Sequence, residues 1–138
     1  MGVRPKGQKQ RGVDIFGQPN QGKAWAGIQC KKKDVNSGQV LSNKEIDAEV
    51  KEARDFKPPL EQLIIATTAS RDAKAQEHAR EITESHRKVS LFSVTICAWQ
   101  DMIDLISDCP EIQKKFLRRL LAALLFAQSN LITIMQNI

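Results

Sequence analysis

Apolar positions along this chain change their spacing several times, and each change marks a structural element. Val13 to Phe16 is a short strand candidate, Gly17 to Lys23 collects turn formers including Pro19, Asn20 and Gly22, and Trp25 to Lys32 is a second strand. Together they predict a β-hairpin. Ser42 followed by Glu45 forms a capping box, and Ile46, Val50 and Ala53 then recur at helical spacing, which predicts a helix from about Asn43 to Phe56 that Pro58 and Pro59 end. Leu63, Ile64, Ile65 and Ala66 run without a polar break, as expected of a strand covered on both faces in a parallel sheet.

Asp72 is placed to cap a helix that continues to about His86, with Ala75, Ala79 and Ile82 inward and Glu77, Arg80, Glu81 and Glu84 outward. Phe92, Val94 and Ile96 alternate as a further core strand, and Trp99 to Ile106 reads as a short helix bearing Met102, Ile103 and Ile106. Pro110 suits the first turn of a last helix whose apolar face holds Leu117, Leu120, Leu121, Leu124 and Leu125. The predicted order is β-β-α-β-α-β-α-α, an α/β layer fold without internal repeats.

Composition narrows the class. A chain of 138 residues suits one core, with residues 1–11 as a flexible basic arm, 12–108 as the folded domain and 109–138 as a helical extension. Apolar residues at 41% and charged residues at 27% fit a soluble globular protein. The formal charge of +5 favours a polyanionic partner without demonstrating one. Cys30, Cys97 and Cys109 are an odd set with no C-x-x-C pair, which argues against a disulfide framework or structural zinc and for a reducing, cytoplasmic setting. The basic N-terminus is followed by no apolar stretch, so no secretory signal is read. Gln128, Ser129 and Asn130 interrupt the apolar run of Leu120 to Ala127 before membrane-spanning length, so no membrane is expected as a partner.

Candidate chemistry sits on the hairpin. In an extended strand Gln29 and Lys31 share one face while Ile28 and Cys30 share the other, here expected to turn toward apolar packing. Asp14 on the neighbouring strand can approach the Gln29 face, bringing a carboxylate, an amide oxygen and an ammonium together. Phosphodiester hydrolysis needs hard oxygen ligands for Mg²⁺, a water made more acidic by the metal, and a cation near the phosphate. Asp14, the Gln29 amide oxygen and the Cys30 backbone carbonyl are the candidate metal ligands, and Lys31 is assigned to the water and the phosphate oxygens. The bland alternative is a solvated edge, in which Lys31 to Lys33 only discourage strand aggregation.

Other residues carry weaker signals. His78 and His86 lie too far apart in sequence for one tight metal site and read as surface histidines. Cys30 reads as core rather than nucleophile, Trp25 and Trp99 as core packing rather than base-stacking platforms, and Asp72 as a helix cap. Arg11, Lys32 and Lys33 flank the candidate site and are the candidate phosphate contacts. Lys114, Lys115, Arg118 and Arg119 either contact DNA or keep the last helix soluble, and its leucine face either covers a bare sheet or joins a second copy.

The stretches "GVDIFG", "GIQCKKKD", "LSNKEIDAEVKEARDFKPPLEQLIIATTASRDAKAQEHARE" and "LFSVTICAWQDMIDLI" together resemble the Mrr-like restriction endonucleases, a branch of the PD-(D/E)xK nucleases, over roughly Gly12 to Ile106. The resemblance implies a restriction-endonuclease-like mixed sheet flanked by helices, with Mg²⁺ as cofactor, DNA as substrate and defence as the setting. It puts Asp14, Gln29 and Lys31 at the catalytic positions, with Gln in the glutamate place. The family pattern also has a helix with a glutamate, and a first strand, before the aspartate. Only thirteen residues precede Asp14 here, none of them acidic, so that part of the fold is expected to be missing. Two rival readings stand beside the nuclease: a DNA-binding remnant without catalysis, and an interaction domain, as a homodimer or with a partner subunit, that uses the C-terminal leucines.

Overall fold

The computed structural model describes residues 2–3, 12–115, 117–119, 121–122 and 136. Five strands form one sheet in the order in which they occur: β1 (Gly2–Val3), β2 (Ile15–Gly17), β3 (Ala26–Lys31), β4 (Gln62–Thr67) and β5 (Ser93–Cys97). β2 runs antiparallel to both of its neighbours, β1 and β3, whereas β3, β4 and β5 run parallel. Parallel neighbours need crossovers. These are α1 (Asn43–Ala53) and α2 (Ala73–Arg87), and α3 (Trp99–Ser107) follows β5. The fold is therefore mixed α/β, as the spacing of apolar residues predicts. Two compact units divide at Asp101, Met1–Asp101 holding the sheet and Met102–Ile138 holding the C-terminal helical residues.

Local sequence explains the helix starts. Ser42 Oγ accepts from the Glu45 amide at 3.3 Å and the Glu45 carboxylate accepts from the Ser42 amide at 2.9 Å, closing the expected capping box. The Asp72 carboxylate accepts from the Lys74 amide at 3.1 Å, also as expected. α1 stops at Ala53, and Phe56 turns back into the core, where it meets Phe16 with ring centroids 5.3 Å apart. Trp25 joins this cluster, 5.9 Å from Phe16.

α1 and α2 cover one side of the sheet and touch each other through His78 to Asp47, at 2.7 Å, and Arg54 to His86, at 3.0 Å. Under them lie Gly27 and Gln29 of β3, Leu63, Ile65 and Thr67 of β4, and Val94 and Ile96 of β5, all buried. Gly27 is required there, since a Cβ would stand 2.9 Å from Leu60 Cδ1 and 3.1 Å from Val13 Cγ1. The opposite side, with Ile28, Ile64 and Ala66, is only half-buried and Cys30 is exposed. The apolar run of β4 is thus covered fully on one face, not on both as its composition predicts.

Three further expectations are corrected. Gly2 and Val3, expected in a flexible arm, pair with Phe16 and Ile15 as a strand. His86 is buried, not on the surface: its Nδ1 lies 2.7 Å from the Phe92 carbonyl. A carbonyl only accepts, so Nδ1 carries the proton and Nε2 accepts from Arg54. Trp99, expected in the core, is 51% exposed.

Glu45 generates a pH prediction. The Lys33 ammonium, and then the Ser42 amide, hold its carboxyl down at about 2 from an ordinary 4.5. A depressed folded value stabilises above the unfolded value and is lost as pH falls toward the folded one. Glu45→Gln should therefore cost about 1 kcal/mol at neutral pH, a figure reduced by the side chain's exposure, and the cost should fade between pH 4.5 and about 2. Thermal unfolding of both proteins across that range checks it; a gap independent of pH would contradict the assignment.

Candidate active site

Gly12 starts the site. Its φ of +67° and the 2.7 Å that would separate a Cβ from the Glu49 carbonyl oxygen bring the chain close against α1 just before Asp14. The Asp14 amide donates to the Ile28 carbonyl at 2.9 Å, although Ile28 pairs in register with Ile15. Two consecutive residues of one strand thus face one residue of the next, as in a β-bulge. The bulge resets alternation, which is why Val13 and Phe16, three apart, both reach the core.

The same bulge sets the Asp14 carboxylate against the edge of β3, where Oδ2 accepts from the Cys30 amide at 2.8 Å. In an extended strand the N–H and C=O of one residue point the same way, so the Cys30 carbonyl is directed to the Asp14 side of β3 as well. Cys30's side chain, expected to turn inward, is exposed instead. Partial burial, and then the Asp14 charge, push its thiol above the ordinary value. Alternation along β3 is as predicted, but the faces are exchanged: Gln29 and Lys31 look toward α1, while Ile28 and Cys30 look toward the half-open side.

Gln29 is buried, and its Oε1 has no hydrogen-bond partner. A buried acceptor without a donor costs roughly 1–3 kcal/mol and calls for an unseen partner. An amide oxygen suits a hard cation such as Mg²⁺, so by this observation the residues fit the metal that the sequence suggests. Among the described residues no three His, Cys, Asp or Glu side chains cluster as metal ligands, so any ion here would draw on the amide and backbone oxygens as well as Asp14.

Lys31 forms an ion pair with Glu49, and Lys33 one with Glu45. Sequence reasoning missed both partners as site residues, although a signal was present. Residues four apart on a helix rise by about 6 Å. Residues two apart on a strand advance by about 6.6 Å. Glu45 and Glu49 thus match Lys31 and Lys33 rung for rung. Among the described residues no hydrogen bond or ion pair joins Asp14, Gln29 and Lys31 to one another; Asp14 meets the Cys30 backbone and Lys31 meets Glu49.

Of the candidate phosphate contacts, Lys32 is exposed, Lys33 is engaged by Glu45, and Arg11 lies outside the described residues. On the C-terminal unit, Leu117 and Leu121 are exposed, and Leu120, Leu124 and Leu125 lie outside the described residues. Lys114, Lys115, Arg118 and Arg119 line one cationic surface with Glu111. Among the described residues no helix is long and apolar enough to cross a membrane. No family model, curated protein or solved structure matches the chain.

The orphaned oxygen makes a direct test. Gln29→Met keeps the volume and removes the unpartnered acceptor, so it should raise stability by about 1 kcal/mol in EDTA. It should also abolish any Mg²⁺-dependent rise in Tm shown by the parent protein. A less stable variant that kept the Mg²⁺ response would remove Gln29 from the ligand set.

Proposed function

We propose that this chain is a Mg²⁺-dependent DNA endonuclease of the Mrr-like, PD-(D/E)xK kind, its sheet corresponding to that family's catalytic core. The observation that carries the reading is the buried, unpartnered Gln29 Oε1, two residues before Lys31 and next to the residue whose amide binds the Asp14 carboxylate. Asp14, Gln29 and the Cys30 carbonyl would hold the ion. When bound, Mg²⁺ supplies positive charge and a more acidic water.

The chain's own groups have separate duties in this reading. Asp14 contributes the carboxylate, and its bond to the Cys30 amide orients it against β3. The ammonium of Lys31 donates to the phosphate oxygens, where negative charge grows as water attacks phosphorus. Glu49 keeps that ammonium at the end of β3. Lys32, exposed on the following position, holds a neighbouring phosphate of the strand. A positively charged chain adds a general attraction for the polyanion.

A second reading rests on the same Lys31–Glu49 pair, because an ion pair leaves little net charge for a phosphate. On that reading the chain binds DNA in a salt-sensitive way and does not cut it. Supercoiled plasmid with Mg²⁺ separates the two. The parent protein should nick it at least about a hundredfold faster than Asp14→Ala or Lys31→Ala, and EDTA should stop the reaction. Equal rates for all three proteins would overturn the nuclease, and binding without nicking would leave the second reading.

A further inference from the structure

Beyond Lys31 the chain builds a second feature, which shares only Lys32 with the groups assigned above. Lys32, Lys33, Val35, Thr68 and Trp99 line a cleft of about 350 Å³ at the carboxyl ends of β3 and β4, the end of a parallel sheet where α/β folds gather ligands. Its size falls within the usual range for a small-molecule site, about 300–1,000 Å³.

Three properties of the walls identify an occupant. First, the cleft presents a large aromatic surface to solvent, with Trp99 51% and Val35 55% exposed. The backbone that carries the exposed indole is anchored: the Trp99 amide donates to the Ala69 carbonyl at 3.1 Å. Val35 is held similarly, on a turn closed by the Asp34 carboxylate accepting from the Asn36 amide at 3.0 Å. An exposed aromatic on an anchored backbone gives a flat apolar partner a surface that loses little entropy on binding.

Second, the Thr68 hydroxyl and the Lys33 ammonium in the walls are occupied. The Thr68 hydroxyl accepts from the Lys33 amide at 2.7 Å and donates to the Lys33 carbonyl at 2.9 Å. The Lys33 ammonium belongs to Glu45. Such a cleft offers a planar ligand a stacking face and little hydrogen-bond reading of its edge.

Third, the mouth carries an exposed cation, and of the acids beside it Asp34 is engaged by the Asn36 amide. Lys32 is exposed there. The nearest acid on α3, Asp101, is neutralised: Oδ1 pairs with Arg71 and Oδ2 accepts from the Ala98 amide at 2.9 Å. The Ala98 amide, and then Arg71, hold its carboxyl below the ordinary carboxylate range. A flat apolar ligand carrying an anionic group next to it is a nucleotide.

We propose that this cleft takes up one unpaired nucleobase of a polynucleotide strand, stacked on Trp99, with an adjoining phosphate held by Lys32. The inference rests on the nuclease reading for its choice of a strand over a free nucleotide, and it names the substrate form: DNA with a single-stranded, frayed or extruded base near the cleavage site. Stacking on an aromatic face tolerates any base, so the cleft confers selectivity for unpaired structure and not for sequence.

The test uses the full chain in EDTA, where no cleavage occurs, with a fluorescein-labelled oligothymidylate, the matching blunt duplex and thymidine monophosphate as probes. The oligothymidylate should bind more tightly than the duplex and quench tryptophan emission. Trp99→Leu should weaken oligothymidylate binding about tenfold and remove the quenching, Trp99→Phe should restore most of the affinity, and Lys32→Gln should reduce the salt dependence. Unchanged affinity in Trp99→Leu, equal binding of the duplex, or competition by thymidine monophosphate as strong as by the oligonucleotide would each overturn the proposal. Because Trp99 is half-exposed, the leucine variant should unfold at the parent temperature, and the phenylalanine variant guards against a folding defect. If the parent protein binds this way but never nicks plasmid, the nuclease reading fails and the cleft stands.

Discussion

Among the described residues α1 and α2 cover one face of the sheet, every alternate residue of its central strands is held in the dry layer beneath them, and the rest of the site follows from that constraint. On β4 the demand is met by Leu63 and Ile65, on β5 by Val94 and Ile96, and on β3 by Gly27 beneath Leu60. The same alternation then delivers Gln29 and Lys31 to the layer, where apolar neighbours cannot solvate them. Lys31 answers with Glu49 and, one rung further, Lys33 with Glu45. Only the Gln29 oxygen is left without an answer among the buried side-chain atoms of the described residues. Burying a polar atom without a donor costs roughly 1–3 kcal/mol, which sets this oxygen apart from the two satisfied lysines beside it.

Much of the fold was legible because local and periodic signals agreed. Ser42 with Glu45 and Asp72 with the following helix announced the helix starts, and the alternation of Phe92, Val94 and Ile96 announced a core strand. The site was legible in position but not in orientation. Period two tells that Gln29 and Lys31 share a face; it does not tell which face the helices cover. Ile28 and Cys30 are the more apolar pair, so composition pointed them inward, whereas the crossovers through α1 and α2 cover the other side. Nor could spacing reveal the bulge at Asp14, which has no glycine of its own and arises from how β2 meets β3.

Two other misreadings share one physical origin, the pairing of residues distant in sequence. His86 looked like a surface histidine on a polar helix, but Arg54 and the Phe92 carbonyl satisfy both ring nitrogens and let it be buried. Trp99 looked like core because tryptophan is large and apolar. The tie of its backbone to Ala69 instead holds it where the chain leaves the sheet, with half of its surface in solvent.

The arrangement at the end of β3 explains why three successive lysines need not do one job. Lys31 and Lys33 point to the helix side and are tied to α1, which holds the strand end in place at the expense of their free charge. Lys32 points the opposite way and keeps its charge for solvent or for a ligand. The Asp14 carboxylate accepts from the Cys30 amide at one end of this short stretch, and Lys32 and Lys33 line the Trp99 cleft at the other. The backbone of Cys30 to Lys33 separates the two by only a few residues. The β3 end is stiffened by the two ion pairs to α1 and by the double hydrogen bond between Lys33 and Thr68, so Lys32 and the residues on either side of it are presented from a fixed backbone.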